Sequence, residues 1–206
     1  MKKNRGESKE ADLTPRIAFV DVEASGLIEG GFPIEIGWVD RDGHGESHLI
    51  RPAPGWTAWS PDAEKIHHIS MEQLQREGEP YDEVARRAIA ALGSATVYSD
   101  APEFDGAWIR MLLDAAGVGA DLTLVDAEEA LSLATHPLNA LITSPPKSLK
   151  RIWQSYEVSE IGSRILKAAF DHADEIAPRT HRALDDARHL WAIWHEIGRL
   201  VAEEMR

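Results

Sequence analysis

Between Arg16 and Glu23 apolar and polar positions alternate: after Ile17 and Phe19, Val20 and Val22 are interleaved with Asp21 and Glu23. A period of two predicts a strand over 16–22. The apolar stretches FPIEIGWVD and SHLIRPA flank RDGHGE, whose Asp-Gly pair signals a turn, and predict a hairpin beside that strand. The period then lengthens. Ser70 can N-cap MEQLQREG, and Pro80 precedes YDEVARRAIAAL, in which Val84, Ala88, Ile89 and Leu92 keep helical spacing. ATVYS predicts a short strand, EFDGAWIRMLLDAAG a helix ended by Gly117, and LTLVD another strand. Helices are predicted over AEEALSLA, SLKRIWQSYE and IGSRILKAAFDHA, and from His181 to Glu204, with THPLNALITSPPK as an irregular connector. Early strands with helices interleaved predict one α/β domain, its mixed sheet flanked by helices. Residues 1–14 are expected to be a flexible N-terminus and 15–206 the domain.

Composition narrows the chemistry. At 206 residues the chain can bury a substantial core, and without cysteine it has no disulfide, thiolate nucleophile or thiolate metal site. Any metal must be held by oxygen or imidazole. The start lacks the apolar segment of a signal peptide, and no run approaches the roughly 20 apolar residues of a membrane span, so a cytoplasmic protein without a membrane partner is expected. With 22 basic against 35 acidic residues the formal charge is -13, which opposes tight binding of long duplexes by phosphate neutralisation. It leaves room for an enzyme that grips a few nucleotides through metal ions.

Three groups of polar residues stand out in chain order: Asp21 and Glu23 on the first strand, Asp105 at a helix start, then His181, Asp185 and Asp186 near the start of the last helix. Asp21 and Glu23 share one face of their strand. His181 and Asp186 are five apart, about 140° around a helix, unless His181 stands on the loop before it; from a helix entrance the two still converge. Carboxylates about 4 Å apart repel by ~4 kcal/mol per pair at an effective dielectric near 20. They must scatter, take up protons or bind cations. An all-oxygen set suits two divalent cations, Mg2+ or Mn2+, and a nearby histidine can accept a proton from water.

In this order and context the residues resemble the DEDDh 3′-to-5′ exonucleases, on a ribonuclease-H-like fold. The matches are Asp21-x-Glu23, Phe104-Asp105, and His181 followed five residues later by Asp186. A further match is IHHIS at 66–70, similar to the family's Ile-His-Gly-Ile-Thr, with His68 where glycine usually stands. Departures are Ala101, where many members carry asparagine, and a weak match over 127–178. The resemblance implies that Asp21, Glu23 and Asp186 hold one metal, Asp21 and Asp105 a second, and that His181 is the general base. It also implies that Gly26 and Leu27 seat the terminal nucleotide with its 3′ hydroxyl, and that His67 and Phe104 touch it. Asp185 is the competing ligand, and the family's register favours Asp186.

The implied reaction is hydrolysis of the terminal phosphodiester of single-stranded DNA or RNA at its 3′ end, releasing nucleoside 5′-monophosphates. The rivals are a catalytically silent accessory protein on the same fold and a polymerase's proofreading subunit; the absence of an evident docking tail favours a freestanding enzyme, possible as a homodimer. Trp191 and Trp194, three apart on the last helix, are expected in the core, whereas Trp56 and Trp59 in RPAPGWTAWSP suit surface cover or partner contact. His44, His48, His136, His172, His189 and His195 show no metal-like grouping in the sequence.

Overall fold

The computed structural model describes residues 15–143 and 151–206. The expected flexible segment 1–14, and residues 144–150 of the predicted connector and helix, lie outside them. Six strands form one mixed sheet: β1 (Ile17–Ala24), β2 (Pro33–Asp40), β3 (Gly45–Arg51), β4 (Glu79–Pro80), β5 (Thr96–Ser99) and β6 (Leu124–Asp126). Their order across the sheet is β4-β3-β2-β1-β5-β6. The hairpin makes β2 antiparallel to both β1 and β3, while β5 runs parallel to β1 and β6 parallel to β5. The α/β architecture with a mixed sheet is the one the alternation predicts.

Helices cover both faces. Val20 and Val22 point into a core with Ile36 and Trp38, which α3 (Tyr81–Leu92) and α4 (Pro102–Ala115) close through Val84, Ala88, Ile109 and Leu112. Phe19 faces the other way, against Tyr98, Leu190 and Ala130, on the side of α5 (Ala127–Thr143) and α7 (Ala183–Glu204). Since side chains alternate, Asp21 and Glu23 share the face of Phe19. α6 (Arg151–Ile176) packs outside α7 through Ile165, Ala169 and Ala173.

The local signals act as their chemistry dictates. The Ser70 hydroxyl accepts the Gln73 amide at 3.1 Å and caps α2 (Met71–Glu77). Gly117, at φ 64, lets the Val118 amide reach the Leu113 carbonyl at 3.0 Å and closes α4. Three segments differ from expectation. α1 (Pro61–His67) has only 7 residues, too few to show a period, but Ser60 caps it and Pro61 starts it. α5 continues through Pro137 to Thr143, into the predicted connector. α6 is a single helix where two are predicted: Gly162 costs about 1 kcal/mol against alanine, too little to break 26 residues.

The tryptophans sort by packing. Trp194 lies 5.7 Å from Phe19, as expected of a core residue, and Trp191 donates to the Arg41 carbonyl at 3.1 Å. Trp56 stacks on buried Phe32 at 5.5 Å, and Trp59 donates its indole N–H to Glu64 Oε2 at 2.6 Å. Both are cover for the β1–β2 loop. Among the described residues no helix is long and apolar enough to cross a membrane.

One contact decides where α7 enters. Gly37 on β2 pairs with Asp21, and a side chain there would overlap the backbone of Ala183 and Leu184. Without a Cβ, the first turn of α7 lies directly on the sheet beside Asp21. Gly37→Ala is therefore expected to cost about 1–3 kcal/mol or more, lowering the melting temperature by about 2–4 °C for each kcal/mol in a chain of this size. Gly119, with nothing within 4 Å of an added Cβ, is the control: Gly119→Ala should leave thermal denaturation within about 0.5 kcal/mol of wild type.

Candidate active site

Asp21 and Glu23 stand near the carboxyl end of β1, just before its register shifts between Glu23 and Ala24. Because β5 is parallel to β1, its carboxyl end lies alongside, and the chain leaves it through Ser99 and Asp100 into α4. Asp105, in the first turn of α4, is buried and held by the Ser99 hydroxyl and the Val22 backbone. Ser99 Oγ in turn accepts the Ala101 amide at 2.9 Å. From the other side, α7 delivers Asp186, whose Oδ1 accepts the Thr180 amide at 3.0 Å.

These elements bring the sequence-predicted residues into two adjoining groups. Glu23, His181 and Asp186 each place a potential ligand atom within 4.8 Å of the others; so do Asp21, Asp100 and Asp105. His181 is on the loop before α7, exposed and at φ 56, so it meets Asp186 from the helix entrance. Asp185 is outside both groups, taken by the Thr180 hydroxyl at 2.7 Å and by Arg188 at 3.7 Å. Asp100 is the carboxylate that sequence reasoning passes over; the available signal was its place one residue beyond a strand parallel to β1. Its Oδ2 also pairs with Arg179 at 2.7 Å, on the loop leading to His181.

The β1–β2 loop and α1 border the site. Gly26 takes φ 146, and a Cβ there would stand 2.6 Å from Ser60 Cβ, so only glycine lets this loop close on the start of α1. Leu27 is 74% exposed and Phe104 55%, two apolar side chains held out in solvent. His67 is buried: its Nδ1 accepts the Ile69 amide at 3.0 Å, and its Nε2 has no partner among the described residues. Burial pushes its pKa down, so the ring is neutral with a free Nε2–H. His68, where the resembling family has glycine, adopts φ 57 to end α1.

Outside the site, a surface cleft of about 960 Å³ lies at the opposite end of β1 and contains none of these residues. His44, contrary to the sequence reading, does join a group with Asp40 and Asp42. That group is an exposed turn in which Asp40 Oδ1 accepts the amides of Asp42 and His44, each at 2.9 Å.

Electrostatics separates the candidate site from ordinary surface acids. Burial, then the charges of Asp105, Glu23 and Asp186, push the Asp21 carboxyl up to about 9. Burial, then Asp186 and Glu35, raise Glu23 to about 7, and burial raises Asp105 to about 7. Asp21 Oδ2 is buried without a partner among the described residues. An unpartnered carboxylate oxygen amid further carboxylates is a donor set that fits hard divalent cations such as Mg2+ or Mn2+.

A carboxyl with a raised folded-state pKa adds stability that is complete below its unfolded value and lost as pH rises through the folded one. For Asp21, Glu23 and Asp105 that window runs from about 4 to about 9. In chelator, the melting temperature should fall as pH is raised from about 5 to 9, and millimolar Mg2+ or Mn2+ should restore it at about pH 8. A chelated protein that becomes more stable over this range contradicts the assignment.

No family model and no curated protein matches the chain. Solved structures do. Exonuclease I of E. coli in complex with a dA16 oligonucleotide superposes with a TM-score of 0.57 at 15% identity, covering 93% of this chain and 43% of that one. Apo exonuclease I gives 0.56 at 15% identity, with 93% and 44% covered. A moderately thermophilic exonuclease I from Methylocaldum szegediense gives 0.55 at 17%, with 92% and 40% covered. The chain thus spans less than half the length of these proteins, and what it shares with them is the fold, a ribonuclease-H-like mixed sheet flanked by helices.

Proposed function

We propose that the chain is a metal-dependent 3′-to-5′ exonuclease acting on single-stranded nucleic acid. The observation that carries this reading is the pair of adjoining ligand groups at the end of β1 with His181 in one of them. In it, Asp21, Glu23 and Asp186 would hold one divalent cation and Asp21 and Asp105 a second, with Asp100 beside the latter. When bound, such ions supply positive charge that acidifies water and offsets charge on phosphoryl oxygens. His181 takes the proton of the attacking water as its oxygen bonds to phosphorus. The bond from phosphorus to the 3′ oxygen of the preceding nucleotide breaks, that oxygen takes up a proton, and a nucleoside 5′-monophosphate leaves. Gly26 and Leu27 seat the terminal nucleotide, and Leu27 and Phe104 offer apolar surface to bases; a contact from His67 needs its buried Nε2 to become accessible. The fold's likeness to an exonuclease solved with a dA16 oligonucleotide makes single-stranded DNA the first substrate to try, with RNA as the matched alternative.

The test is a 5′-labelled oligonucleotide of each kind with Mg2+ or Mn2+. A ladder shortening one nucleotide at a time from the 3′ end is expected, with mononucleotides as product. His181→Ala should lower kcat by about 10²–10⁴-fold, and Asp21→Asn should weaken divalent-ion binding in calorimetry and remove activity together. Folded, ion-binding wild type that shortens neither strand rejects the nuclease reading and leaves a silent accessory protein.

A further inference from the structure

Glu35 has no part in the chemistry above, yet it is among the most buried charges described, 1% exposed in the middle of the apolar strand β2. A carboxylate so placed is tolerable only if its oxygens are satisfied. Four donors do this: Ser47 Oγ at 2.8 Å, Arg182 Nε at 2.9 Å, Arg182 Nη2 at 2.7 Å, and the Ala183 amide at 3.1 Å. Ser47 is on the neighbouring strand, but the other three come from the junction between the His181 loop and α7. That junction has no cap of its own. Arg182 occupies the N-cap position without a side-chain cap bond, so a strand carboxylate caps α7 across the fold.

We infer that Glu35 is a positioning residue of the candidate active site, holding Arg182 and the first amide of α7 so that His181 and Asp186 meet Glu23. A forked guanidinium–carboxylate pair fixes direction as well as distance. The adjacent amide pins the next residue, so the helix entrance can neither slide nor rotate. His181 directly precedes the pinned arginine, and its left-handed backbone, strained for a residue with a Cβ, needs such support. Asp186 follows within the first turn, its amide on the Arg182 carbonyl at 3.0 Å. Glu23 faces the same device from β1, being the direct cross-strand partner of Glu35. Gly37, two residues along, provides the space in which the helix entrance lies.

This inference rests on the nuclease reading for its catalytic consequence, so two kinds of readout are needed. Glu35→Gln keeps shape but sets an amide nitrogen against donors, and Arg182→Lys keeps charge but loses the fork. At a temperature where circular dichroism shows both variants folded, kcat should fall about 10- to 100-fold while KM stays within about twofold. The Glu35→Gln/Arg182→Lys double variant should fall no further than the worse single variant, since both break one device. Independently of activity, amide hydrogen exchange over residues 180–186 should accelerate at least about tenfold in Glu35→Gln. Unchanged exchange in that variant, unchanged kcat, or additive losses overturn the proposal. If Glu35→Gln does not fold, Arg182→Lys, altered at a side chain 41% exposed, carries the same exchange and kcat tests. A wild type that cleaves nothing rejects the nuclease reading, while the exchange measurement still decides whether Glu35 places the loop.

Discussion

Like charges buried together are the constraint around which this structure is arranged. Asp21 on β1 feels Asp105, Glu23 and Asp186 from three directions in a setting where water screens little, and burial alone already opposes its ionisation. The surrounding structure limits the cost by assigning oxygens to donors. Asp105 is taken by Ser99 and the backbone at Val22, and Asp186 by the Thr180 amide. Asp21 Oδ2 is left without one among the described residues. A buried carboxylate oxygen without a partner among other carboxylates makes poor structural sense, and fits the proposed role of a ligand for a divalent cation.

Holding such a group in register demands rigid supports, and each lies on an element that cannot easily move. β1 is central in the sheet, with β2 on one side and β5 on the other. α4 starts as the chain leaves β5, placing Asp105 after a very short connection. α7 is the difficult piece, because more than 140 residues separate its start from the strand it docks on. Two features of β2 solve this: the missing side chain at Gly37 lets the helix approach, and Glu35 grips its first residues. The partial positive charge of the helix N-terminus also favours the acids at positions 185 and 186.

Legibility in the sequence follows the range of the cause. β1, the hairpin, α3 and the Gly117 stop of α4 rest on alternation, a turn pair, a helical period and a cap within a few residues, and all are visible in the string. The two-turn α1 has a cap but no room for a period, and Pro137 reads in the sequence as a helix stop that α5 passes. The acids of the site could be found because they interrupt predicted elements and fall in an order a known family shares. Glu35 could not: it looks like one polar residue in a strand, and its partners at the start of α7 lie 147 and 148 positions away. Nor could the left-handed backbone at His181, since no glycine marks that turn; at His68 the glycine of the resembling family was the available signal.

The overall charge now has a clearer physical meaning. A chain at -13 carrying a concentrated acidic site repels a polyanion both at long range and at close quarters. Neutralising the site with the proposed divalent cations would change the sign of the close interaction while leaving the formal charge of the chain negative. Under the proposed function, favourable contact would be confined to the few phosphates that reach the end of β1, where Leu27 and Phe104 expose apolar surface. On the proposed reading an acidic exterior and a cation-dependent site would be complementary: the first would keep long nucleic acid from adhering, and the second would give a strand end a place to bind.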